Sequence, residues 1–185
     1  LVAATLALAL AESGDGKRAL VLAEKAHARL EETDDDWSIA ASSLLQAEVA
    51  VFAGDVSKVA ALAAQAYRHA DAIRFDAFQV PAMLLEAWVA ERRSNGSAAA
   101  EEYQRAFALA DHAGFADHAA FALAGLGWTA FATEDLRAAE EIERRALARM
   151  LVGKTAREEI PGVLTRRLEK FPLPSLRPLY LKGAY

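Results

Sequence analysis

Chemistry at a protein surface needs particular residue types at particular spacings, and few stretches of this chain offer them. Gly153–Lys154–Thr155 has the ending of a phosphate-binding loop, whose backbone N–H groups cradle a phosphate. Such a loop needs another glycine five residues earlier, where Ala148 stands, and a preceding strand, whereas this run follows a helical pattern. Asp111–His112 and Asp117–His118 supply four side chains of metal-ligand type. They straddle Gly114, where such residues serve as caps and as charges at helix ends, and His27 and His69 stand far from them in sequence. Arg166, Arg167 and Lys170 form one short basic cluster on a chain of net charge −5, too little to hold a phosphate backbone. The runs Glu31–Asp36 and Glu140–Glu143 with Arg144–Arg145 read as solvated faces with local ion pairs. There is no serine elbow, no zinc-protease histidine pair and no paired-carboxylate cleft in the sequence. The chain is therefore expected not to be an enzyme and to need no metal or cofactor.

The elements that must position any site are helices. The chain has 185 residues, 54% of them hydrophobic, enough for a sizeable core. Alanine, the best helix former, supplies roughly a quarter of the residues, and runs of alternating polarity are absent. The net charge of −5 argues against a broad electrostatic footprint for nucleic acid, so direct nucleic-acid binding is not expected. The absence of cysteine excludes a disulfide framework, a thiolate zinc site and a cysteine nucleophile, and it fits a reducing compartment. Leu1–Ala11 is apolar but lacks a basic leader and falls short of the about twenty residues that span a bilayer. Neither targeting nor membrane contact is expected, and the location is read as cytoplasmic. The sequence opens inside a helical pattern without an initiator Met, so it is expected to be part of a longer protein.

An internal repeat organises the chain. The turns Gly14–Asp15, Gly54–Asp55, Ser94–Asn95 and Glu134–Asp135 follow one another at a step of 40 residues. The same step links Ala19, Val59, Ala99 and Ala139, then Ala26, Ala66, Ala106 and Ala146, and on the preceding helix Ala7, Ala47, Ala87 and Gly127. The alternative is an alanine-rich bundle with accidental register. The repeat predicts an all-α solenoid of about four antiparallel hairpins over residues 1–152, at 1–31, 37–73, 77–113 and 117–150. Asp15, Asp55 and Asp135 are expected to cap second helices, with Gly114 as a helix stop and Asp117 as the next N-cap. Pro81 predicts that its helix starts near Val80, because proline is tolerated in a first turn. Ile160–Pro161 repeats Val80–Pro81 eighty residues on, which predicts a capping helix within 153–171. Pro172, Pro174 and Pro178 then predict an extended, irregular tail over 172–185.

The Leu126–Gly127 pair, the Gly14–Asp15 and Gly54–Asp55 turns and alanine pairs such as Ala19 with Ala26 resemble the tetratricopeptide repeat. The resemblance covers residues 1–150. It departs from that family in its 40-residue period, against about 34, and in alanine at most aromatic consensus positions. Armadillo and HEAT repeats share the longer period but not this turn. The alanine-rich texture is similar to the helical sensor regions of large bacterial transcription regulators, the antibiotic-pathway activators and the ATP-binding LuxR-type regulators.

Stacked hairpins are expected to bury their second helices and to line a concave groove with their first helices. The groove columns are Leu8, Glu48, Trp88 and Trp128; Ala11, Val51, Glu91 and Phe131; Glu12, Phe52, Arg92 and Ala132; and Ala41, Pro81 and Phe121 beside Leu44 and Leu84. The candidate partner-binding residues are therefore Glu48, Phe52, Leu84, Trp88, Glu91, Arg92, Phe121, Trp128 and Phe131. Rings supply contact area and a few charges supply orientation. The alternative is that both tryptophans pack between repeats as ordinary core. Glu48, a carboxylate in a mainly apolar column, reads as a solvated groove position. The expected function is a protein- or peptide-binding or sensor module, part of a bacterial regulator. The alternatives are a small-molecule receptor of the same fold and a self-associating scaffold, a homodimer through Leu1–Leu10 or the tail.

Overall fold

A computed structural model describes residues 2–152, with backbone alone for 147 and 150–152. The predicted capping helix, the tail, Gly153–Lys154–Thr155 and the basic cluster Arg166, Arg167 and Lys170 lie outside the described residues. Eight helices occupy the described part: α1 Val2–Glu12, α2 Gly16–Glu31, α3 Asp36–Ala53, α4 Val56–Ala72, α5 Asp76–Arg92, α6 Gly96–Ala113, α7 Ala116–Ala132 and α8 Leu136–Val152. Each packs against the next, so the architecture is the expected all-α helical-repeat solenoid.

The helices end where the chain is forced into the left-handed region. Positive φ occurs at Gly14, Asp34, Gly54, Arg74, Ser94, Gly114 and Glu134, a spacing of 20 residues. At most of these ends the next N–H bonds back to the carbonyl five residues earlier, as from Asp55 to Ala50 at 3.1 Å and from Asn95 to Ala90 at 2.9 Å. The following residue then caps the next helix. Asp55 accepts from the Lys58 N–H at 3.0 Å and Asp135 from the Ala138 N–H at 3.0 Å, with Asp15, Asp35 and Asn95 acting alike.

Two sequence expectations fail at these ends. Asp117 is not the N-cap of α7. Phe115 holds that position without a side-chain bond, and Asp117 sits in the first turn, where its charge favours the helix dipole. Phe75 is the equivalent residue of α5. Each of these rings meets the ring three residues on, Phe75 with Phe78 at 4.7 Å and Phe115 with His118 at 6.1 Å, so aromatic contact stands where a polar cap is missing. Nor does α5 start at Val80. It starts at Asp76 and runs through Pro81, which leaves the Ala77 carbonyl without its partner four residues on. Burial of most of the helix around Pro81 offsets that loss.

The two layers differ in the opposite sense to expectation. The first helices are the more buried: α3 buries Ile39 to Leu44 without a break, and α5 buries Ala82 to Leu85 and Ala87 to Val89. The second helices bury one stripe, such as Ala99, Tyr103, Ala106 and Ala110 on α6, and leave the opposite face wet. First helices also touch one another, α1 with α3, α3 with α5 and α5 with α7, while the second helices make no comparable contact among the described residues. Alanine at Ala7, Ala47 and Ala87 permits that approach, and the stack closes towards the first-helix side. The equivalent alanines Ala26, Ala66, Ala106 and Ala146 are all buried, as the repeat requires.

Arg74 and Glu134 hold a conformation that costs a side-chain-bearing residue roughly 1–2 kcal/mol and glycine little. Arg74→Gly is expected to raise the melting midpoint by about 2–4 °C, and Gly54→Ala to lower it by a similar amount, measured by thermal circular dichroism. Unchanged midpoints would show that these turns do not carry the strain assigned to them.

Candidate functional site

The forty-residue register places the candidate groove residues on the first-helix layer. They form four groups. On α5, the Arg92 guanidinium lies over the Trp88 ring at 5.2 Å from its centroid. On α7, Trp128 stacks on Phe131 at 5.8 Å with 27° between the planes, and Phe131 is 38% exposed. Leu84 is buried, with Phe121 packed against the same cluster. Glu48 and Phe52 sit half-buried on α3, Phe52 against the core shared by α1, α2 and α3. Trp88 is 8% exposed and packs with Leu44, Ala47 and Leu85, so most of its surface is core and Arg92 covers what faces out. Of the candidate rings, Phe131 on α7 is the most exposed.

Between these groups stands Glu91, whose carboxyl is pushed up to about 7. Burial is the main cause, opposed by the Tyr103 hydroxyl donating to it and by the Arg92 charge. Tyr103 belongs to α6 and reaches this position because residue 125 is glycine. A Cβ on Gly125 would run into the Tyr103 ring. In the earlier hairpins the matching pairs are Ala23 with Leu45 and Ala63 with Leu85. The junction of the third and fourth hairpins thus exchanges a small residue and a leucine for a tyrosine and a glycine, keeping volume while delivering a hydroxyl to the inner face.

Several polar groups lie where no pattern along the chain announces them. Glu143, read as part of a solvated run, is 1% exposed, and its side chain occupies the space a Cβ on Gly127 would need, 2.6 Å from Oε1. Arg144 does pair locally with Glu140 at 2.6 Å, but Arg145 lies over Phe107 at 5.8 Å. Glu86 and Glu102 line an open depression of about 480 Å³ between α4, α5 and α6, with Val89, Arg93 and Asn95. Arg105 Nη1 donates to both Glu102 oxygens at 2.8 Å. Glu86 is pushed up, first by burial and then by Glu102, with Arg105 pulling the other way. Trp37, Phe75 and Phe78 form a partly exposed ring cluster at the start of α3 and α5, Trp37 lying 5.4 Å from Phe78. Their sequence positions differ by 38 and 41, so the forty-residue columns do not align them.

The four residues around Gly114 separate. Asp111 pairs with Arg149 on α8, Asp117 lies in the first turn of α7, and burial holds His118 below the ordinary imidazole range with Asp117 opposing. The two other histidines tie helices together. His27 Nδ1 is 2.9 Å from the Ser42 hydroxyl, and His69 Nδ1 is 2.6 Å from Asp36. No described helix is long and apolar enough to cross a membrane.

Compared with protein-family models and with curated proteins, the sequence finds no match to either.

Because the folded value of Glu91 lies above its ordinary 4.5, the fold favours the neutral acid. That contribution is complete below the ordinary carboxylate range and is lost as pH rises through about 7. Glu91→Gln removes the titration and keeps an acceptor for Tyr103. Its midpoint relative to the parent is expected to be higher at pH 8 than at pH 5. An equal difference at both pH values would place Glu91 in water.

Proposed function

We propose that the first-helix face binds a segment of another protein, and that the chain is a tetratricopeptide-like interaction or sensor module of a bacterial transcriptional or signalling regulator. The observation that carries this reading is the stacked, half-exposed Trp128–Phe131 pair, one repeat away from the Arg92-covered Trp88. Exposed rings give a partner area to bury at little cost in side-chain order, and they sit on rigid helices. Glu91, held by the buried Tyr103, and Arg92 add polar groups that orient what lands on the rings. The regulator context rests on the likeness of the alanine-rich hairpins to helical sensor regions, and the first-helix face is the part of that fold offered to partners.

A second reading, a small-molecule receptor, is favoured by the cleft holding Glu86 and Glu102, whose volume of about 480 Å³ falls within the range of small-ligand sites. One experiment separates the two. Peptides selected on the parent protein from a random display library are titrated by fluorescence anisotropy against two variants. The double variant Trp128→Ala/Phe131→Ala is expected to weaken binding at least tenfold, while Glu86→Gln leaves it unchanged. Loss of binding on Glu86→Gln alone, or midpoint shifts by metabolites that only Glu86→Gln abolishes, would favour the cleft. Trp88→Ala is expected to lower the midpoint by several degrees whatever the ligand, because that ring is core.

A further inference from the structure

In every hairpin after the first, one face of the first helix is covered by the hairpin before it. On α3 that face carries Ser42, Gln46 and Val49, all buried, with Ser42 at His27 of α2 and Val49 in one cluster with Ala7 and Ala23. Of the matching residues, Ala82 and Val89 on α5 and Ala122 and Thr129 on α7 are buried as well, and Glu86 and Leu126, which match Gln46, are half-buried. Forty residues before Ser42, Gln46 and Val49 stand Val2, Leu6 and Ala9 on α1, and these face outward. Val2 is 87% and Leu6 53% exposed.

The second helices repeat this in polar form. Gln65 on α4 donates to Glu31 on α2 at 2.6 Å, Arg105 on α6 lies over Tyr67 on α4 at 6.0 Å, and Arg145 on α8 lies over Phe107 on α6 at 5.8 Å. Gln65, Arg105 and Arg145 are forty apart, and the position forty before Gln65 is Lys25. Lys25 is exposed on α2 with no such partner among the described residues.

We propose that the outward face of α1 and α2 is an interaction surface for a helical hairpin of the same forty-residue kind, stacked in register as a further repeat unit. The interfaces already built define the occupant's chemistry. It brings small apolar residues to Val2, Leu6 and Ala9, and its second helix brings a ring or a carboxylate to Lys25. The last described hairpin of a second copy lacks that group, because the register position of Tyr67 and Phe107 is there filled by the aliphatic Leu147. Repeat units that meet only their neighbours gain stability interface by interface, so an added unit of the right register stabilises the one it covers.

The test lengthens the full chain. A copy of residues 36–80 placed directly before Leu1 keeps the step, since Leu1 stands eighty before Pro81, and it sets the copied Tyr67 opposite Lys25. The lengthened chain is expected to show the ellipticity of two added helices, a midpoint raised by about 5 °C or more, and slower amide exchange in α1. Leu6→Asp and Lys25→Ala are each expected to remove much of that gain while moving the midpoint of the native chain by less than half as much. An added hairpin that stays unfolded, or folds without raising the midpoint or protecting α1, overturns the proposal. Sedimentation of the native chain as a dimer that Leu6→Asp dissociates would overturn it too, because the face would then belong to a second copy.

Discussion

Reversal of the chain through a left-handed residue at every twentieth position is the constraint on which this solenoid depends. Gly14, Gly54 and Gly114 enter that region freely, while Asp34, Arg74, Ser94 and Glu134 enter it against the preference of an L side chain. What keeps the disfavoured four in place is the register on either side. Helices of nearly equal length bring Ala19, Val59, Ala99 and Ala139 to equivalent buried positions, and a turn opening one residue early or late would rotate a whole helix by about 100°. The cost of one strained turn is small beside the burial lost by such a rotation. Turn and core therefore specify each other, and neither alone sets the step.

That constraint also explains where chemistry enters. A lattice of alanine contacts is inert, and two of the large polar groups of the interior enter where a large residue replaces a small one and a glycine makes room. Among the described residues this happens twice, in the third and fourth hairpins. Tyr103 takes the space left at Gly125, and Glu143 takes that left at Gly127. The first exchange sends a hydroxyl to Glu91 on the inner face. The functional asymmetry of the stack follows, since α5 and α7 carry the rings, the perturbed carboxyl and the stacked guanidinium, while α1 offers mainly aliphatic side chains.

How much of this was legible in the sequence depends on whether the signal lay along the chain or across it. The helices fall within a few residues of the periodic reading because Gly–Asp turns and small residues recur at one step. The twenty-residue half-step stayed hidden, since Asp34 and Arg74 do not advertise a left-handed turn as glycine does. The buried alanine columns were legible, because Ala26, Ala66, Ala106 and Ala146, forty apart, share one environment. The pairs that bring polar groups between helices were not. Tyr103 with Gly125, Glu143 with Gly127 and Glu86 with Glu102 each join different helices at separations of 22, 16 and 16 residues, where no single periodicity speaks. Glu143 misleads further. It stands in a charged run that reads as solvated, and only the absent Cβ of Gly127 shows that one member of the run points inward.

The two layers are held by interactions of different stiffness, and this bears on how such a stack can respond to an occupant. The first helices meet through alanine and other close-packed groups, where a displacement of about half an ångström already forfeits much of the dispersion contact. The second helices are linked across repeats by long side chains: Lys58 to Glu24, Gln65 to Glu31, Arg105 to Tyr67, Arg145 to Phe107 and Arg149 to Asp111. Exposed ion pairs and cation–π contacts contribute roughly 0–1 kcal/mol each and tolerate changes of length, since the side chains can re-aim. The spacing of the outer layer is thus the soft coordinate, and the inner layer acts as its hinge line. On the proposed reading, a partner on the first-helix face would press on the stiff side, and a change in helix angle at α5 and α7 would be taken up as spacing at α6 and α8. Long cations on the outside and alanine on the inside are what that division of labour requires.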